Sequence, residues 1–142
     1  MKKIAIVYYS GTGNTEEMAN AILEGVKEAN GEASLFSVSD ISAEEAKAYD
    51  VLVLGCPAMG DEVLEEEEFE PFFSELEGNL AGKDVALFGS YGWGDGQWMR
   101  DWQDRVVNAG ATMVRDGIIC NDAPDDEVTE DLKKLGQEVV AL

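Results

Sequence analysis

The hexapeptide Ser10-Gly11-Thr12-Gly13-Asn14-Thr15 combines two glycines with four short polar side chains, directly before a segment of helical periodicity. Glycines let a backbone turn sharply and come close to a ligand. The first N–H groups of a helix have no internal partner and point back at such a loop. With the hydroxyls of Ser10, Thr12 and Thr15 they make an anion site. No Lys or Arg lies between Ile4 and Val26, so phosphate would be held by neutral donors and the helix dipole alone. Ser, Thr and Asn also cap helices, so an ordinary capped helix start behind a glycine turn is the alternative.

Two better-known phosphate motifs fail here. A nucleoside-triphosphate loop needs Lys after its second glycine, and nothing basic follows Gly13. Gly55-Cys56-Pro57-Ala58-Met59-Gly60 has the glycine spacing, but Asp61 and Glu62 stand where Lys and Ser/Thr belong. The dinucleotide pattern is half present at Gly11-Thr12-Gly13, with Glu16 in the place of its third glycine.

Two further loops could hold a flat ring. Cys56-Pro57-Ala58-Met59-Gly60-Asp61-Glu62 follows one apolar run, and Gly89-Ser90-Tyr91-Gly92-Trp93-Gly94-Asp95-Gly96 follows another. Four glycines flank two large aromatics in the second loop. That pattern suits a backbone wrapped around a ligand edge. Trp93 offers a broad face for stacking, and Met59 a polarizable sulfur for the opposite face. Trp93 as a surface cap and Met59 as a core residue are the plainer readings of each alone. Trp98 and Trp102, at i and i+4, read as packing residues.

Composition removes other chemistries. The chain has 142 residues and no histidine. It therefore lacks the usual general base, the Ser-His and Cys-His nucleophile pairs and the commonest metal ligand; no catalytic group and no metal site are expected. Cys56 and Cys120 are far apart and read as reduced, half-buried thiols at strand ends. Thirty acidic residues against ten basic give a formal net charge of −20. Such a surface repels nucleic acid and anionic membranes. It favours fast, salt-sensitive encounters with basic protein partners, or serves solubility alone. No apolar run approaches the roughly 18 residues that cross a bilayer. After Met1-Lys2-Lys3, the apolar stretch Ile4 to Tyr9 is too short for a signal peptide, so a cytoplasmic location is expected.

The elements that must position these loops alternate along the chain, with no repeat or linker; residues 1–142 read as a single domain. Ile4 to Tyr8 forms a near-continuous apolar run, as in a strand covered on both faces. In Thr15 to Ala29, Met18, Ile22 and Val26 recur every four residues, as in a helix. Strands are expected at Ala33 to Val38, Val51 to Cys56 and Val85 to Gly89, with helices near Ala43 to Ala48, Phe69 to Leu76 and Gln97 to Asn108. A fifth strand runs from Thr112 to Cys120, interrupted at Arg115 to Gly117. Pro124-Asp125-Asp126 opens a last helix, with Val128, Leu132, Leu135 and Val139 on one face. Five strands with helices between them imply an α/β fold with a doubly wound parallel sheet. Ligands of such sheets sit beyond the carboxyl ends of the strands, where the winding reverses. The three unusual loops follow strands one, three and four.

In these three stretches, Ser10 to Thr15, Gly55 to Glu62 and Gly89 to Gly96, the sequence resembles a flavodoxin of the short-chain type found in anaerobic bacteria. The resemblance runs the full length. It implies the flavodoxin-like strand order 2-1-3-4-5 with flavin mononucleotide (FMN) at the switch point, an order and a ligand that are the general example for this fold. It further implies that Ser10, Thr12, Asn14 and Thr15, with the Gly11 and Gly13 backbone, bind the phosphate. Ala58 lies in the adjoining loop, and Met59 and Trp93 would sandwich the isoalloxazine. The Met59-Gly60-Asp61 backbone would face flavin N5, and Glu62 would accept from N3–H. Backbone near Ser90, Tyr91 and Gly92 would face the pyrimidine edge. Some relatives carry a hydroxyl residue where Pro57 stands; Pro57 offers no such donor.

The function implied is one-electron transfer by non-covalently bound FMN, cycling mainly between neutral semiquinone and anionic hydroquinone. Gly60 can turn its peptide at little steric cost to present a carbonyl to a protonated N5. The fully reduced anion would sit among Asp61, Glu62, Asp95 and Glu65 to Glu68, which lowers the second potential. Expected partners are basic-surfaced redox proteins, ferredoxin-type donors and acceptors, and the expected state is a monomer. A small FMN-dependent NAD(P)H reductase is the alternative, and a pure FMN-binding structural protein a third. A phosphorylated receiver would need acidic residues where Ser10 and Cys56-Pro57 stand.

Overall fold

The structure, a computed structural model, describes residues 2–142; Met1, which opens the N-terminal segment considered above, lies outside them. The elements are β1 (Ile4–Tyr8), α1 (Asn14–Glu28), β2 (Ser34–Ser37), α2 (Ala43–Ala46), β3 (Val51–Gly55), α3 (Phe69–Glu77), β4 (Asp84–Tyr91), α4 (Gln97–Asn108), β5 (Thr112–Met113), β6 (Ile118–Asn121) and α5 (Asp126–Val140). The sheet order is β2-β1-β3-β4-β5, with β6 also paired to β4. All of these pairings are parallel.

Strand alternation divides the core into two layers. Ala5, Val7, Leu52, Leu54, Val85 and Leu87 face α3 and α4, where Phe69, Phe73, Trp98 and Trp102 are buried. Ile6, Val51, Val53, Ala86 and Phe88 face α1 and α5. Those two helices pack so tightly that a Cβ on Gly136 would strike the Ile22 carbonyl, and one on Gly25 the Lys133 carbonyl.

Two elements differ from the expectation. The fourth strand runs on to Tyr91, because β6 pairs with it from Phe88 to Tyr91 and uses its backbone groups. The fifth strand is two short strands, β5 and β6, which pair with opposite ends of β4 around the break at Arg115 to Gly117. Gly117 N–H is taken there by the Gln103 side chain (2.5 Å) rather than by the ladder.

Candidate functional site

The ladders run past the strand ends and bring the three loops to one edge of the sheet. Tyr9 N–H donates to the Gly55 carbonyl (3.0 Å), Cys56 N–H to Phe88 (3.1 Å) and Ala58 N–H to Ser90 (3.0 Å). Loops 10–13, 57–62 and 92–96 therefore leave from the carboxyl ends of β1, β3 and β4, beside the switch from β2-β1 to β3-β4.

In the first loop the Ser10 hydroxyl oxygen accepts from Gly13 N–H (3.0 Å), and Gly13 starts α1 with φ +98. No side chain caps this helix. The N–H groups of Asn14, Thr15 and Glu16 have no partner among the described residues; the first backbone bond into the helix is Glu17 N–H to Gly13 (3.0 Å). A capped helix start would have used at least one of these donors. What remains is a set of free helix donors beside a loop, 10–15, that has no charged side chain. Glu16, in its first turn, is held by the Tyr8 hydroxyl (2.8 Å).

The second loop is a tight hairpin that the sequence reading did not foresee. Met59 and Val63 exchange both backbone hydrogen bonds (2.9 Å each) around Gly60 at φ +52 and Glu62 at φ +57. The turn projects the Glu62 carboxylate at the start of α4, where it accepts from Asp95 N–H (3.1 Å) and Trp98 N–H (3.2 Å). Glu62 thereby ties the second loop to the third. A carboxylate has about four acceptor positions, so it can still take a further donor.

Met59 and Trp93 are 39% and 63% exposed, against 2% for Trp98. Two large apolar side chains thus project from neighbouring loops while a third is buried beneath them. Trp98 does more than pack: its indole N–H donates to the Cys56 carbonyl (3.0 Å), and Tyr91 lies on its ring at 5.6 Å between centroids. It is a support for the second loop that its helical spacing alone did not reveal. Ser90 and Tyr91 belong to the strand. The Ser90 hydroxyl donates to the Asp122 carbonyl (2.5 Å), and the Tyr91 carbonyl accepts from Asp122 N–H (2.9 Å).

The acidic residues are not equivalent. Glu65 is 6% exposed, and its carboxylate accepts from the N–H groups of Glu67 (2.9 Å), Glu68 (2.7 Å) and Phe69 (2.8 Å). It holds the turn that leads into α3 and takes that helix's first N–H, while Glu66, Glu67 and Glu68 remain exposed. Asp95 is paired with Arg100 (3.0 Å), a cation that folds back onto the third loop from α4. Both cysteines are buried free thiols. Burial pushes the Cys56 thiol far up from its ordinary value, so it is no nucleophile. No group of three His, Cys, Asp or Glu that could hold a metal occurs among the described residues, nor does a helix long and apolar enough to cross a membrane.

A doubly wound parallel sheet with free helix N–H groups and projecting apolar side chains at its switch point has the architecture of the mononucleotide-binding α/β proteins. The flavodoxin family model matches residues 6–135. A flavodoxin of Clostridium beijerinckii is 49% identical over 137 residues, covering 96% of this chain and 99% of that one. A flavodoxin of Megasphaera elsdenii is 46% identical over 134 residues, covering 94% and 96%. The solution structure of two-electron reduced M. elsdenii flavodoxin superposes with a TM-score of 0.90 at 45% identity, covering 98% and 99%. The chain belongs to the flavodoxin family. Flavodoxins are FMN-binding electron-transfer proteins rather than enzymes, and both statements hold for this member.

Proposed function

We propose that this protein is a low-potential one-electron carrier whose FMN is held without a covalent bond by Ser10 to Thr15, Ala58 to Glu62 and Ser90 to Trp93. The observation that carries the reading is the row of unpartnered N–H groups at Asn14, Thr15 and Glu16, placed at the same sheet edge as Met59 and Trp93. FMN supplies one-electron chemistry at the ring; the chain supplies the surroundings that set its energy. The Gly60 peptide lies in a φ-positive turn, and glycine there would let it turn its carbonyl toward the ring edge at little steric cost. Glu62 and Asp61 would place negative charge beside the ring, which would disfavour its fully reduced, anionic form. Working mainly between the one-electron-reduced and fully reduced ring gives a low potential. The partly paired Asp95 weakens this field without cancelling it, since an exposed ion pair contributes little. The exposed Glu66, Glu67 and Glu68 suit docking to basic-surfaced redox proteins of the ferredoxin type. A net charge of −20 disfavours self-association and so accords with action as a monomer.

Stepwise anaerobic reduction of the purified protein under visible spectroscopy tests this. A yellow spectrum that turns blue before bleaching is expected. A protein that bleaches in one two-electron step, or that turns over NAD(P)H unaided, would overturn the carrier reading in favour of a reductase.

A further inference from the structure

Tyr9 lies beside the phosphate cradle and has no role in the site described so far. Its N–H is fixed on the Gly55 carbonyl (3.0 Å), so the residue stands between the ends of β1 and β3. Its ring packs half-buried against the α3–α4 side of the core. One ring edge (Cε2) and the hydroxyl oxygen both lie 3.8 Å from the position a Cβ on Gly11 would take. The hydroxyl is therefore at the wall of the first loop. Its neighbour Tyr8 spends its own hydroxyl on Glu16, whereas the Tyr9 hydroxyl has no hydrogen-bond partner among the described residues. Burial, then the charges of Glu65 and Glu68, hold its phenol above the ordinary value, so it stays protonated at neutral pH and can only gain by donating to an anion.

The cradle has a use for one more donor. It contains no cation. Gly13 N–H is already taken by Ser10, and Pro57, on the adjoining loop, has neither an N–H nor a hydroxyl. A phosphate dianion exposes three oxygens, each able to accept more than one hydrogen bond.

We propose that Tyr9 is a further phosphate ligand: its hydroxyl, lying against Gly11, donates to a phosphate oxygen of the nucleotide bound in loop 10–15. The proposal rests on the FMN reading above, and its test separates the two. Apoprotein is titrated with FMN and with riboflavin, which has the same ring and no phosphate, for the wild type and for Tyr9→Phe. The variant keeps the packed ring and loses one oxygen. FMN binding weakens about ten- to hundredfold, the scale of one hydrogen bond to a charged acceptor, while riboflavin binding is unchanged. The inhibition constant of inorganic phosphate against FMN rises by the same factor. In wild-type apoprotein, phosphate alone shifts the Tyr9 ring resonances, a readout that needs no variant. Equal FMN affinity in wild type and variant, or equal losses for FMN and riboflavin, would overturn the Tyr9 role and leave FMN binding intact. A wild type that binds neither flavin would remove the functional reading, and this proposal with it.

Discussion

The Glu62 carboxylate occupies the space in which a side chain at Gly94 would begin. Gly94 also has φ +91, a conformation that side chains rarely adopt. The residue is glycine for two reasons at once, and both concern how the third loop closes over the second. Replacing Gly94 with Ala pushes Glu62 away from Asp95 N–H and Trp98 N–H, leaving the start of α4 without its acceptor. A loss of about 1–3 kcal/mol in apoprotein stability is expected. A urea-denaturation cycle with Gly94→Ala, Glu62→Gln and the double variant isolates the cause. Losses well short of additive are expected; full additivity would mean that Gly94 acts through its own backbone alone.

Glu65 and Glu66 are neighbours with opposite roles. The first is buried on three N–H groups and the second is exposed. Glu65→Ala removes the acceptor of the three N–H groups that lead into α3 and costs about 2–3 kcal/mol. Glu66→Gln stays within about 0.5 kcal/mol, as surface changes do. Thermal unfolding of both variants checks the contrast. Equal small effects would mean that Glu65 behaves as a solvated surface charge.

β1, β3 and β4 were legible because they are apolar on both faces, α1 because its apolar residues recur every four positions, and α5 because its spacing and its start signal agree. The three loops were legible as chemistry because glycine, hydroxyl and aromatic residues crowd there without any need for a core. What could not be read were relations between distant residues. Nothing local tells Glu65 from Glu66; the turn that brings Phe69 N–H back to one of them does. The Met59–Val63 hairpin, with Glu62 in a left-handed conformation, breaks the preference of that residue type. The hydrogen bond from the Trp98 indole to Cys56 spans 42 positions. The split of the last strand was visible at Arg115 to Gly117, but the pairing of both halves with β4 depends on that strand reaching Tyr91.

The α1–α5 contact gives a stability prediction far from the site. A methyl group on Gly136 meets backbone, the Ile22 carbonyl and Val26 N, which cannot rotate away. Gly136→Ala should force the helices apart and cost about 1–3 kcal/mol, despite the better helix propensity of alanine. Chemical denaturation measures it. A stabilised variant would show that the helices separate freely.

Acid sensitivity should trace to one half-buried cluster. Arg105 donates to both Glu70 oxygens (2.7 and 2.8 Å) and both Glu77 oxygens (3.1 Å each), with its guanidinium 4.8 Å from the Phe73 ring centroid. The Arg105 hydrogen bond holds the Glu70 carboxyl below its ordinary value, and Arg105 itself is pushed further into its charged form. A carboxylate with a lowered folded pKa stabilises the fold above its unfolded value, here near 4.5, and loses that contribution as pH falls through the lower folded value. Wild type should therefore lose stability more steeply than Glu70→Gln over the range below 4.5. At neutral pH the variant should be the less stable of the two, and the curves should converge in acid. The gap stays modest, because about a third of each side chain remains exposed and solvent screens the pair. Urea unfolding at a series of pH values measures both slopes. Parallel curves would show that the Arg105–Glu70 pair contributes nothing to acid stability.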